Sequence, residues 1–327
     1  MLRLPDFDYY APRTVADAVK IMADHGPDAA YVAGGTDLYP NMKRRQQTPA
    51  AVIGLARVDE LRSISGDPSS GLRIGAGVTL TELAEHPMVR AAYPMVASAA
   101  ESISTPLLRN MGTIGGNLLL DTRCNYYDQT FEWRRSIDFC MKRDGEICWV
   151  APSSPKCWAV NSSDEAPLMV ALGAELRFVS PGGERTIAAR DLYQKDGISY
   201  LTKRPDELLV DISLPATNGW RATYVKLRRR GTYDFPVLGV AARVKTAADG
   251  TVTEASLVLG AVSPAPTEIP EAVERLVGRP LSDESIKEAA EIAQHLARPL
   301  DNTDFMPAWR KQVVETYVAR ALREISR

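Results

Sequence analysis

The sequence has little histidine, little cysteine and almost no net charge, and each shortage closes off a class of function. Its three histidines, His25, His86 and His295, are scattered over 327 residues. None is paired by spacing with a nucleophile or a carboxylate, so a Ser-His-Asp arrangement, an acid pair and a His-pair metal site all lack support. With 39 basic and 41 acidic residues the formal charge is -2, which leaves no electrostatic footprint for nucleic acid. The runs Lys43-Arg44-Arg45 and Arg228-Arg229-Arg230 read as solvated faces or anion contacts. No apolar run reaches membrane-spanning length, and residues 1–7 lack the apolar core of a signal peptide. A cytoplasmic protein with neither membrane nor nucleic-acid partners is expected.

What the chain does contain is concentrated in residues 112–164. All four cysteines, Cys124, Cys140, Cys148 and Cys157, lie there, separated by fifteen, seven and eight residues. A reducing compartment disfavours disulfides. Structural zinc is a poor match, because its ligands usually come as two close pairs with two to four residues between them. An iron-sulfur cluster tolerates irregular spacing, since a wrapping loop grips it from several sides, and it fits best. Another metal and unliganded buried thiols are the alternatives. Trp133, Trp149, Trp158, Tyr126, Tyr127, Phe131 and Phe139 share the segment; such bulk would shield a redox centre, and ordinary packing explains it equally well.

The chain begins with a helix over 14–25, capped by Thr14 and stopped by Gly26, with Val15, Ala18, Val19 and Met22 as its buried face. A strand over 29–33 runs into Gly34-Gly35-Thr36-Asp37 and a helical turn. One Gly-Gly is most simply a tight turn. A second copy, Thr113-Ile114-Gly115-Gly116-Asn117, makes a clamp for the pyrophosphate of a dinucleotide the better reading. Neither loop matches G-x-G-x-x-G or G-x-x-x-x-G-K-[ST], which disfavours a Rossmann domain. Strands are expected at 51–55, 72–78, 174–180 and 208–214, with a helical stretch over 81–103 interrupted near Pro87 and Pro94, and a short helix from Asp164.

Taken together, Ala33-Gly34-Gly35-Thr36-Asp37, Gly75-Ala76-Gly77-Val78-Thr79, Arg109-Asn110 leading into Thr113-Ile114-Gly115-Gly116-Asn117, Asp164-x-x-Pro167-Leu168, Pro205-Asp206-Glu207-Leu208 and Tyr224-Val225-Lys226-Leu227 resemble the FAD-binding medium subunits of the xanthine oxidase and carbon monoxide dehydrogenase family. The resemblance implies an α+β chain: a PCMH-type FAD-binding fold in two subdomains, 1–57 and 58–218, then a C-terminal α+β domain of the CO dehydrogenase flavoprotein type over 219–327. It also implies the FAD contacts. Backbone N–H groups of Gly34, Gly35, Thr36 and Asp37 and of Gly112, Thr113, Ile114, Gly115 and Gly116 would hold the pyrophosphate, with Ala33 beside them among the cofactor-binding residues. Tyr31, Val32, Leu38 and Ile103 would form apolar walls. Asp164 would accept from ribityl or ribose hydroxyls, Lys226 would lie near the isoalloxazine or phosphates, and Asn125 would bridge cysteine loop and flavin.

The cysteine-bearing insertion, about 120–161, departs from the usual family pattern. It resembles the insertion in flavin subunits of the 4-hydroxybenzoyl-CoA reductase branch, which implies a 4Fe-4S cluster on Cys124, Cys140, Cys148 and Cys157. That resemblance implies an electron-transfer subunit in a dimer of heterotrimers, beside a molybdenum-cofactor large subunit and a 2Fe-2S small subunit. Electrons from reduced ferredoxin would pass through 4Fe-4S and FAD to dehydroxylate 4-hydroxybenzoyl-CoA, with no substrate chemistry on this chain. The rival readings are the flavin subunit of an oxidising molybdenum hydroxylase and a non-enzymatic zinc-binding module.

Overall fold

The computed structural model describes residues 2–326. Three sheets follow one another along the chain. The first is parallel: β1 (Asp8–Tyr10), β2 (Ala29–Val32) and β3 (Ala51–Gly54) pair in the order β1-β3-β2. β3 lies between its neighbours and is buried throughout, as a central parallel strand must be. Helix α1 (Val15–His25) crosses between β1 and β2. The Thr14 hydroxyl accepts the Asp17 N–H at 3.0 Å, and Gly26 at φ +59° turns the chain back. The four residues expected on its inner face are buried, and they pack with Ile53, Val58 and Leu61 and with Leu208 and Val210 from the next sheet.

After the short helix α2 (Leu38–Lys43), β4 (Ile64–Asp67) and β5 (Gly71–Gly75) start a five-stranded antiparallel sheet completed by β6 (Glu175–Ser180), β7 (Gly183–Ala188) and β8 (Leu208–Leu214), in the order β4-β5-β8-β6-β7. The strand expected over 72–78 stops at Gly75, because the Val78 N–H turns back to the Gly75 carbonyl at 3.0 Å. The helical stretch resolves into α3 (Leu80–Glu85), α4 (Pro87–Ala92) and α5 (Pro94–Ser102). Each proline opens a new helix, where its missing N–H costs nothing. Two short helices, α6 (Pro106–Arg109) and α7 (Ile114–Leu118), lead into the cysteine segment, which contains only α8 (Phe131–Ser136). That segment is pinched at its base: Arg123 and Val160 exchange backbone hydrogen bonds at 2.9 and 2.7 Å.

Helix α9 (Glu165–Leu172) is buried on every side. An all-round buried helix must be covered by two layers, and here Leu168 and Met169 share one core with Ile212 of β8 and with Ala241 and Val258 of the third sheet. That sheet is antiparallel, β9 (Trp220–Leu227), β10 (Leu238–Thr246), β11 (Val252–Gly260) and β12 (Thr267–Glu268), in the order β12-β11-β10-β9. Strand alternation divides its faces. Val240, Ala242 and Val244 face α10 (Asp283–Leu296) and α11 (Pro307–Ser326), whereas Ala241 faces α9.

One cap stands where the second sheet feeds the site. The Thr79 hydroxyl accepts the Glu82 N–H at 3.1 Å while the Glu82 carboxylate accepts the Thr79 N–H at 2.9 Å. Replacing Thr79 with Ala is expected to lower stability by about 1 kcal/mol, read as a lower urea midpoint; an unchanged midpoint would assign the cap no weight.

Candidate functional site

The two glycine loops meet. A Cβ on Gly34 would lie 1.8 Å from the Met111 carbonyl oxygen and 2.9 Å from the Gly112 nitrogen, so only glycine permits the approach. Gly35 adopts φ +70° with its α-carbon against the Tyr39 ring. The joined loops floor a cleft of about 960 Å3 between the first two sheets, also lined by the β9–β10 connection. Of the expected FAD contacts, Tyr31, Val32, Ala33, Gly34, Gly35, Thr36, Asp37, Leu38, Ile103, Gly112, Thr113, Gly115, Gly116 and Asp164 line it.

The loops do different work. Among the described residues, no group in the chain accepts the N–H groups of Gly34, Gly35, Thr36 and Asp37. In the second loop nearly all are spent. Gly112 donates to Leu108 O at 2.7 Å, Ile114 to Val78 O at 3.0 Å, Gly115 to Ala76 O at 2.9 Å and Gly116 to the Thr113 hydroxyl at 3.1 Å. The first loop therefore offers the donors an anion needs, while the second is a buttress stitched to residues 76–80 that adds the Thr113 N–H and hydroxyl. This corrects the symmetric clamp expected from sequence, and its cause is the backbone pairing of residues 112–115 with residues 76–80.

Three expected contacts lie elsewhere. Ile114 is 1% exposed and belongs to the core beneath the loop. Asn125 is exposed, its N–H donating to Asn302 O at 3.0 Å and its carbonyl accepting from Gln129. Lys226 is not on the cleft: its ammonium donates to Asp164 Oδ2 at 2.9 Å and to Ser102 O at 3.2 Å. Tyr224 donates to the other Asp164 oxygen at 2.8 Å. Asp164 is thus a buried, doubly bonded carboxylate at the cleft wall. Burial pushes its carboxyl up, against the pull of Lys226, and burial pushes Lys226 down.

The link between cleft and cysteines falls to Arg123, one residue before Cys124. Its guanidinium pairs with Asp37, reaches Asp128 at 3.8 Å and stacks 3.9 Å over the Phe235 ring. Burial raises the carboxyls of Asp37 and Asp128, and Arg123 opposes both shifts.

All four thiols are buried, and Cys124, Cys140 and Cys157 share one cluster with Tyr127 and Ala159. Burial pushes Cys124 up to about 12 and Cys157 to about 11, with Cys140 adding repulsion to both and Cys148 to Cys157. Two buried cations oppose that charge: Lys142 lowers Cys157, and Arg134 feels Cys140. The donor set suits a cluster that takes four thiolates on separate corners. Among the described residues no three His, Cys, Asp or Glu side chains come together as a metal site, whether for zinc or for the 4Fe-4S cluster expected on the cysteines.

Comparison with known proteins agrees with this layout. Residues 5–217 match the model of the FAD binding domain in molybdopterin dehydrogenase, and residues 222–325 match the CO dehydrogenase flavoprotein C-terminal domain. The chain belongs to the FAD-binding subunits of the molybdenum hydroxylase family. It is 34% identical to the aldehyde oxidoreductase FAD-binding subunit of Escherichia coli over 80% of this chain and 83% of that one. It is 29% identical to the carbon monoxide dehydrogenase medium chain of Hydrogenophaga pseudoflava over 95% of each. A solved structure of carbon monoxide dehydrogenase from the same organism superposes with a TM-score of 0.82 at 27% identity, covering 99% of this chain and 98% of that one.

In this FAD-binding subunit the cleft has further walls that spacing did not reveal: Asn117, Asp121, Arg123, Tyr200, Lys203 and Phe235. Asn117 ends the second motif and its side-chain oxygen accepts from the Ser163 hydroxyl at 2.7 Å and the Glu165 N–H at 3.2 Å, tying loop to α9. Lys203 is pushed down to about 8 by burial. Neither Tyr200 nor Lys203 sits in a motif that sequence alone would single out.

Two outcomes are expected. Replacing Gly34 with Ala should separate the loops and abolish FAD retention; a variant that keeps its flavin, measured by absorbance after gel filtration, would remove the close approach from the site. Replacing Asp164 with Ala leaves Lys226 buried without its partner and should cost about 3–5 kcal/mol. The Asp164→Asn, Lys226→Met double variant should lose less than the two single losses added together, since the pair acts as a unit, and additive losses in urea unfolding would contradict the coupling.

Proposed function

We propose that this chain is the electron-accepting flavin subunit of an oxidising molybdenum hydroxylase, and that its four cysteines hold a 4Fe-4S cluster beside the flavin. The observation that carries the reading is adjacency. A glycine-floored cleft with unspent N–H donors lies one residue, Arg123 to Cys124, from a buried cluster that gathers Cys124, Cys140 and Cys157, with Cys148 buried as well. FAD supplies the capacity to exchange electrons in ones or twos. The chain's own residues bind and orient it. The N–H groups of Gly34, Gly35, Thr36 and Asp37 would take the pyrophosphate, Tyr31 and Ile103 would exclude water, and Asp164, held by Lys226 and Tyr224, would accept from its hydroxyls. Cys124, Cys140, Cys148 and Cys157 would hold the cluster. By the family's architecture, substrate oxidation would belong to a partner carrying the molybdenum cofactor, with 2Fe-2S centres on a small subunit between them.

An aldehyde is the first substrate to test, given the 34% identity to an aldehyde oxidoreductase subunit. A second reading, the 4-hydroxybenzoyl-CoA reductase type fed by reduced ferredoxin, is favoured by the cysteine insertion alone. The two readings run electrons in opposite directions. In an anaerobically purified complex, about four irons and one FAD per chain are expected. Rapid flavin bleaching by an aldehyde supports the oxidising reading. Bleaching only by reduced ferredoxin, with consumption of 4-hydroxybenzoyl-CoA, would replace it with the reductase. FAD without iron would remove the cluster from both.

A further inference from the structure

Residues 121–124 border both the flavin cleft and the cysteine cluster. Along residues 121–124 the side chains alternate. Asp121 and Arg123 line the cleft, whereas Thr122 is fully buried, its hydroxyl donating to Gly197 O at 2.6 Å, and Cys124 joins the thiol cluster. Lys142 is inserted behind this segment. Its ammonium donates to Asp121 Oδ1 at 2.8 Å, to the Thr122 hydroxyl oxygen at 2.7 Å and to Gly197 O at 2.6 Å, spending all three N–H donors. It also lies over the rings of Tyr127 and Tyr200, 4.8 and 5.2 Å from their centroids. Tyr127 donates to the second Asp121 oxygen at 3.0 Å. The Lys142 and Asp121 side chains are only 6% and 8% exposed. Gly197 carries the contact onward: its N–H donates to Cys157 O at 2.8 Å, and a Cβ on it would stand 2.8 Å from the Cys157 sulfur.

A lysine desolvated to this degree is costly unless its charge is used. Resting on the reading of the cysteines as iron-sulfur ligands, we propose that Lys142 is the positioning and charge-balancing residue of that site. It pins the 121–124 wall between cleft and cluster, and its fixed positive charge raises the reduction potential of the cluster. Four thiolates already load the cluster with negative charge, and reduction adds one electron more. A buried cation bonded to Gly197, the residue packed against the Cys157 sulfur, favours that added charge, and the charge and hydrogen bonds around a cluster tune its potential. Asp121 carries the opposite sign on the same network, so removing either partner unbalances the site in a predictable direction.

The experiment is an anaerobic redox titration of the assembled full-length protein, with the cluster followed by electron paramagnetic resonance and with iron and FAD counted per chain. K142Q should move the cluster potential to more negative values, and K142R should stay nearer the parent. D121N, which leaves Lys142 uncompensated, should move it to more positive values. Unshifted potentials in K142Q and D121N, or shifts of the same sign, overturn the role of Lys142. If K142Q loses its iron, the sign of the D121N shift decides the question. A parent protein without iron overturns the cluster reading itself and the proposal with it, whereas iron with unmoved potentials overturns only the proposal.

Discussion

The close approach of Gly34 to the Met111–Gly112 peptide is the contact on which the rest of the molecule depends. One loop comes from the parallel sheet and the other from the helices above the five-stranded sheet, so their contact joins at the cleft two layers that also share the core beneath α1. With the second loop stitched to residues 76–80 through its own N–H groups, the first can leave its donors open without collapsing onto a neighbour. Rigidity in one loop is what allows unsatisfied polarity in the other, which is the arrangement an anionic ligand requires.

Around that contact three ion pairs each tie a different segment to the cleft. Asp37 and Arg123 join the first loop to the cysteine segment. Asp164 and Lys226 join α9 to the third sheet. Asp121 and Lys142 back the segment that separates cleft from thiols. None of these pairs is a source of much stability, because desolvation offsets most of the Coulomb gain. Their effect is specificity: each charge is satisfied by partners on a neighbouring segment, which fixes how the layers meet.

Much of this was legible in the chain. Helix α1, its Thr14 cap and its four buried residues follow from local pattern, as do the glycine loops and the clustering of cysteines, because each is encoded within a few consecutive residues. The family followed from motifs in fixed order, and the matches over residues 5–217 and 222–325 agree with it. Asn125 drew notice for its position next to Cys124, yet backbone alternation turns it to solvent and puts Arg123 in the cleft. Lys226 was visible as a lysine in a motif, whereas its engagement with Asp164 and Ser102 was not.

Local sequence decides which residues can turn tightly, cap a helix or donate from a glycine loop, because those properties reside in a handful of dihedrals and side chains. Which N–H groups remain free, which carboxylate meets which cation and which segment borders both cleft and cysteines were decided only when the three sheets packed. Those outcomes depend on partners far apart in sequence, such as Asp164 with Lys226, and the energy of an ion or an unpaired N–H depends on the burial that packing creates.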